Sequence, residues 1–351
     1  MSIPVTAPRT DRIARFELGR PWPGVDPFLF VAFHHDRYPA GDDRMAPTAD
    51  VSARPRDNDV AGEDGWSMYH GTDVPGFPAH PHRGFETITI VQRGTVDHAD
   101  SAGATARYGE GDVQWLTAGR GVSHSEMFPL LHREGEGDNE LVLYQIWFNL
   151  PATAKAADPA FTMLWNEQIP VVTTGGEGQG RVTARVIAGA LEGEKAIAPP
   201  PSSWASDDSA DVAIWLLELE PHASIDLPPT LRADTRRVLY VHGDDAAAEV
   251  GGVALVAGWG GVQEDGDPIT VSTADRPATV LVLQGAPIAE PVAMRGPFVM
   301  NTEDELHQAF ADYRRTQFGG WPWPASDPVH PRDTGRFARH TDGRVERPDG
   351  G

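Results

Sequence analysis

Glycine and proline interrupt almost every apolar run in this chain, and that punctuation limits what it can fold into. With 37 Gly and 31 Pro in 351 residues, the pattern disfavours long helices and favours short strands joined by turns. Phe85–Gln92 (FETITIVQ) is dense in β-branched residues. Asp100–Gly103 and Gly109–Asp112 read as turns, Val113–Leu116 resumes as strand, and Leu141–Leu150 (LVLYQIWFNL) is a buried-type strand stopped by Pro151. A second block follows, clearest in Asp211–Leu219, Arg237–His242 and Ala278–Gln284. Two blocks of short strands predict an all-β chain with two related barrels. Between the first strand and the first block, residues 38–65 are polar, Gly/Asp-rich and aperiodic, the signature of a long surface loop.

One helix is signalled. Thr302 and Glu305 form a capping box; Leu306, Phe310 and Tyr313 then fall on one face, and Gly319 and Gly320 mark its end. Beyond it the tail is rich in Pro, Arg, Asp and Gly and reads as irregular, with Trp321 and Trp323 packing its start onto the body. The expected division is 1–160 for a first barrel, 161–300 for a second, and 301–351 for helix and tail, in line with roughly two domains for this length.

Cysteine is absent. This removes disulfides, zinc ribbons and thiol catalysis, and a reducing cytoplasm suits it. The stretch MSIPVTAPRTDRIARF has no apolar core of signal-peptide length, and no apolar run approaches the roughly 18 residues of a membrane span. The expectation is a soluble, cytoplasmic protein without membrane association. A net charge of −22 disfavours direct binding to nucleic-acid phosphates.

The chemistry is concentrated in two pairs of ligand-type residues, three histidines and a glutamate. PAHPHRGFET places His80 and His82 two residues apart, with Glu86 four further on. GRGVSHSEM places His124 and Glu126 two apart. In a strand, residues i and i+2 share a face, so each pair aims together. A lone histidine on a strand is usually structural; two such pairs in glycine-punctuated strands point to a metal. Three neutral imidazoles and one carboxylate suit a mid-row divalent ion: Fe(II), Mn, Co, Ni or Cu. Strand geometry leaves the carboxylate open between Glu86 and Glu126. Arg83, Gln114 and Arg120 are candidates to hold the outer nitrogens of the ligand imidazoles. The second block holds only His222 and His242, unpaired, and offers no equivalent site.

HPHRGFET followed by GDVQWLTAGRGVSHSEM, with YQIWFNLP at 144–151 and GPFVMNT at 296–302, resembles the pirin family of bicupins, from about residue 15 to the end of the capped helix. The resemblance implies two cupin, jelly-roll-like β-barrels packed face to face, with a C-terminal helix and one mononuclear iron in the first barrel. Carried over residue by residue, it implies the ligands His80, His82, His124 and Glu126, and makes Glu86 an acid that either supports the ligands from behind or is structural. It also implies quercetin 2,3-dioxygenase activity. The substrate class would be a small aromatic such as a flavonol, plus O2. Glu126 would be the base that takes the flavonol 3-hydroxyl proton, and carbon monoxide would be released as the ring opens. The alternative is a non-enzymatic, iron-dependent regulator acting through a protein partner. Residues 38–65 and 320–351 extend beyond compact family members.

Overall fold

A computed structural model describes residues 12–52, 54–59, 65–176 and 178–348. Residues 1–11, most of the stretch expected to carry no leader, lie outside the described residues. The all-β expectation holds: strands dominate, with one α-helix and three single-turn 3-10 segments among the described residues. The chain divides into two compact units, Met1–Phe30 with Gln168–Ala289, and Val31–Glu167 with Glu290–Gly351.

The second of these units carries the histidines. The strands of its two large sheets are β1 (Phe28–Tyr38, which enters it from the chain before), β2 (Gly76–His82), β3 (Phe85–Arg93), β4 (Thr95–Asp100), β5 (Thr105–Gly109), β6 (Val113–Thr117), β7 (Val122–Met127), β8 (Asn139–Asn149) and β9 (Ala160–Leu164). The tail adds β10 (Phe337–Arg339) and β11 (Val345–Glu346). One sheet runs β9-β6-β3-β8-β1, the other β11-β10-β5-β4-β7-β2. Alternate residues of both sheets meet in one core: Val91, Leu116 and Leu143 from the first, Val96, Ala106, Tyr108 and Val122 from the second. Burying a large apolar side chain stabilises by about 1.5–3 kcal/mol, so this core holds the two sheets in fixed register.

The helix α1 (Glu303–Thr316) starts at the anticipated capping box, with Thr302 Oγ1 accepting from Glu305 N and Glu305 accepting from Thr302 N. It buries Leu306 and Ala309 against Ala293, Phe298 and Met300. It ends three residues before Gly319, because Gln317 takes the left-handed conformation (φ 47°) that closes it.

The tail is not irregular throughout. Phe337–Arg339 pairs with Thr105–Arg107 and so extends a sheet edge. Its anchor is a buried ion pair. Arg107 forks onto Asp97 at 2.6 and 2.7 Å, and its remaining donors reach the carbonyls of His330, Pro331 and Thr334. Trp323 does pack, donating to Asp100 O at 2.8 Å.

The other unit contains a seven-stranded antiparallel sheet from Ile13–Glu17 to Val171–Thr174 and a four-stranded sheet built on Ser224–Leu227 and Ile269–Ser272. Its core includes Ile13, Trp215, Leu217, Leu239, Val241 and Val282. Ile13–Glu17, expected in the first barrel, instead pairs with Trp259–Gln263. The glycines there make the pairing possible: a Cβ at Gly260 would stand 2.3 Å from the Phe16 ring. Conversely, residues 290–300, expected in the second barrel, pack with α1 in the histidine-bearing unit.

Candidate metal centre

Two edge-side strands of one sheet bring the histidines together. β2 pairs with β7 so that His80 lies opposite His124 and His82 opposite Val122. The register slips between Phe77 and His80. The slip absorbs an extra residue on β2 and brings both its histidines to the inner face, where His124 and Glu126 already point. Ligand-capable atoms of His80, His82 and His124 all lie within 4.8 Å of one another. Ring centroids are 4.5–4.9 Å apart.

The electrostatics suit a cation held by neutral imidazoles. Burial lowers the pKa of His80 to about 4 and drives those of His82 and His124 well below their ordinary value, so all three are uncharged at neutral pH. Imidazole must be neutral to ligate. His80 Nδ1 lies 2.9 Å from Pro78 O. A donor is needed to satisfy that carbonyl, which leaves the lone pair on Nε2 for a ligand. Both ring nitrogens of His124 and Nδ1 of His82 are buried without a protein partner. Such orphaned groups are costly, and a bound metal is what would satisfy converging nitrogens. The residues therefore fit a metal ion.

Glu126 stands beside this trio rather than inside it. Its Oε2 is 3.7 Å from His124 Nε2. Thr89 Oγ1 donates to Oε1 at 3.2 Å and Gln145 Nε2 to Oε2 at 2.9 Å. Burial raises its pKa, opposed by nearby His98 and by these hydrogen bonds. Thr89 is opposite Gln145 on one side and Gln114 on the other. The three form a polar row across β8, β3 and β6, facing Glu126. Tyr108 neighbours the same carboxylate.

Glu86 is elsewhere. The expectation that it shares the histidines' face fails because the strand does not continue through it. Gly84 (φ +86°) ends β2 and resets the alternation; a Cβ there would also stand 2.0 Å from Val299 O. Glu86 consequently points to the opposite face, accepting from Thr117 Oγ1 at 2.5 Å and Trp115 Nε1 at 3.1 Å. It is a structural acid. Of the candidate supporting residues, only Gln114 faces the interior, its amide buried without a partner. Arg83 pairs with Asp312 on α1 and Arg120 with exposed Asp158.

Several contributors escape sequence reasoning. Lys155, almost fully buried, donates to Gly84 O, Asn149 Oδ1 and Val299 O and so ties down the turn that follows His82. His98 is buried behind His124, its ring centroid 5.5 Å away, with Nε2 3.4 Å from Asp100 Oδ2. Gln145 had one available signal, a polar side chain within the apolar run LVLYQIWF. Among the described residues the other unit has no comparable cluster. His242 packs against Trp22 with ring centroids 5.3 Å apart, and His222 is exposed beside Asp275.

Two packed antiparallel sheets with a histidine trio between them, two rings buried and one half-buried, define a cupin whose residues fit a metal ion. Comparison with known proteins gives the family. The model described as Pirin matches residues 59–148, and that described as Pirin C-terminal cupin domain matches 214–319. A pirin-like protein of Caulobacter vibrioides is 36% identical over 245 residues, 69% of this chain and 80% of that protein. Pirin of Homo sapiens is 34% identical over 255 residues, 72% of this chain and 80% of that protein. A solved structure described as quercetin 2,3-dioxygenase from Acinetobacter baumannii matches with a TM-score of 0.67 at 25% identity. That match covers 88% of this chain and 97% of the other. The chain belongs to the pirin family, and its fold is that of a bicupin.

Proposed function

We propose that this protein is an iron-binding dioxygenase of the quercetin 2,3-dioxygenase type, with His80, His82, His124 and Glu126 as the metal ligands. The observation that carries the reading is the trio of neutral imidazoles, two buried and one half-buried, whose ligand atoms lie within 4.8 Å, next to a buried carboxylate. Likeness to a solved structure described as quercetin 2,3-dioxygenase supports the reaction class. Fe(II) bound there would acidify a coordinated hydroxyl and supply the site at which O2 reacts.

The chain's own residues do the rest. Glu126 takes the proton of the flavonol 3-hydroxyl, serving as ligand and general base in turn. Thr89 and Gln145 hold that carboxylate in place. The carbonyl of Pro78 orients His80, and the Lys155 latch fixes the turn after His82.

The test is quercetin turnover in air by Fe(II)-loaded protein, with carbon monoxide counted in the headspace and His124→Ala as control. We expect carbon monoxide from the wild type alone, and loss of most bound iron in the folded variant. Stoichiometric iron in His124→Ala would overturn the ligand assignment. An iron-loaded wild type that makes no carbon monoxide would overturn the flavonol reaction and leave the regulatory alternative standing.

A further inference from the structure

A cleft of about 480 Å3 opens in the histidine-bearing unit, lined by Arg83, Arg120 and Arg315 with Val122, Pro159 and Phe318 among its apolar walls. None of the three clustered histidines lines it. We propose that this cleft binds a small organic anion, a carboxylate carried on a flat apolar body.

The charge balance is the first argument. Three guanidinium groups converge on one cavity of a chain whose net charge is −22. Asp312 accepts from Arg83 and Arg315, both at 2.9 Å, and from Gln308. These bonds hold its pKa down to about 2, so it is an anion throughout the physiological range and offsets one of the cations. Asp158 offsets another, 2.8 Å from Arg120. One positive charge remains in excess. Each guanidinium has five N–H donors, and these three arginines direct only one apiece at the two carboxylates. The remaining donors suit a planar carboxylate, which a guanidinium grips in bidentate fashion.

The walls are the second argument. Phe318 lies 5.8 Å from the Arg83 guanidinium and is seated over Gly121, where a Cβ would stand 2.6 Å from its ring. With Pro159 and Val122 this adds apolar surface to the cleft beside its arginines. An inorganic anion would leave that surface unused, whereas an aromatic acid would cover it. The volume admits such a molecule with room to spare. This inference is independent of the dioxygenase reading, since it uses none of the metal-site residues.

The test is calorimetric titration of sodium benzoate into the full chain at low ionic strength, with inorganic phosphate as the parallel probe. We expect one saturable benzoate site that weakens as salt is added. Arg315→Gln and Arg120→Gln should each weaken it roughly tenfold or more, the loss expected for one charge-assisted hydrogen bond. Both side chains are largely exposed, so melting temperature and bound iron should match wild type. No saturable heat up to roughly 10 mM benzoate, or equal affinity in both variants, would overturn the proposal. Phosphate binding more tightly than benzoate would overturn the organic class of the ligand.

Discussion

Thr89 is the residue on which the polar part of the metal centre turns. Its hydroxyl contacts both Glu126 and Gln145, so one side chain fixes the carboxylate and the amide that holds it. Thr89→Val keeps the shape and removes the hydroxyl. With Glu126 in the ligand set, metal affinity should fall roughly 10–100-fold, the usual cost of losing a residue that orients a ligand. Competition against a chromophoric chelator measures it; unchanged affinity would separate Glu126 from the metal. Away from the metal, Asp36 is buried and accepts from Tyr69 Oη at 2.6 Å and Ser67 N at 2.8 Å. Burial nonetheless raises its pKa to about 6. The folded state thus holds this proton more tightly than the unfolded chain does. The resulting stability is full below about pH 4 and is lost as pH rises through about 6. Relative to Asp36→Asn, the wild type should lose roughly 3 kcal/mol of unfolding free energy between pH 4 and 7. Urea melts across that range would show it, and a constant gap would mean that Asp36 titrates as an exposed carboxyl.

At the scale of elements, the tail behaves as a strap across the sheet that bears the metal ligands. Ser326 O accepts from Ala79 N on β2, and Phe337–Arg339 pairs along β5, so the tail reaches both ends of the strand order β5-β4-β7-β2. Between them Arg107 joins buried Asp97 to the tail carbonyls. Arg107→Ala would strand a buried carboxylate and release those carbonyls, and should cost about 3–5 kcal/mol. Chemical denaturation measures this directly, and a loss below about 1 kcal/mol would mean that the strap is held by other contacts. Residues beyond 319 fall outside both matched family models. No local pattern announces the strap: three residues of FAR become a strand only because the edge of β5 is there to receive them. The helix differs, because its capping box and apolar face are contained within residues 302–316.

At the scale of the whole molecule, the two strand blocks were legible because alternation and turn chemistry are local. So were the two pairs of ligand-type residues, since i and i+2 share a face in any uninterrupted strand. The same rule misplaces Glu86, because it holds only while the strand continues, and Gly84 ends it. The division of the chain was not legible either. Ile13 pairs with Gln263, 250 residues away, and no spacing within either strand encodes the other. No helix among the described residues is long and apolar enough to cross a membrane, consistent with the absence of long apolar runs. Sequence alone therefore determined the strand content, the capped helix and the residue types able to bind a metal, all of which depend on neighbours a few positions apart. Tertiary structure decided which carboxylate stands beside the histidines, which polar groups hold it, and where the first strand and the tail dock. Those choices depend on which buried surfaces and hydrogen-bonding edges meet, and that is settled only when the whole core closes.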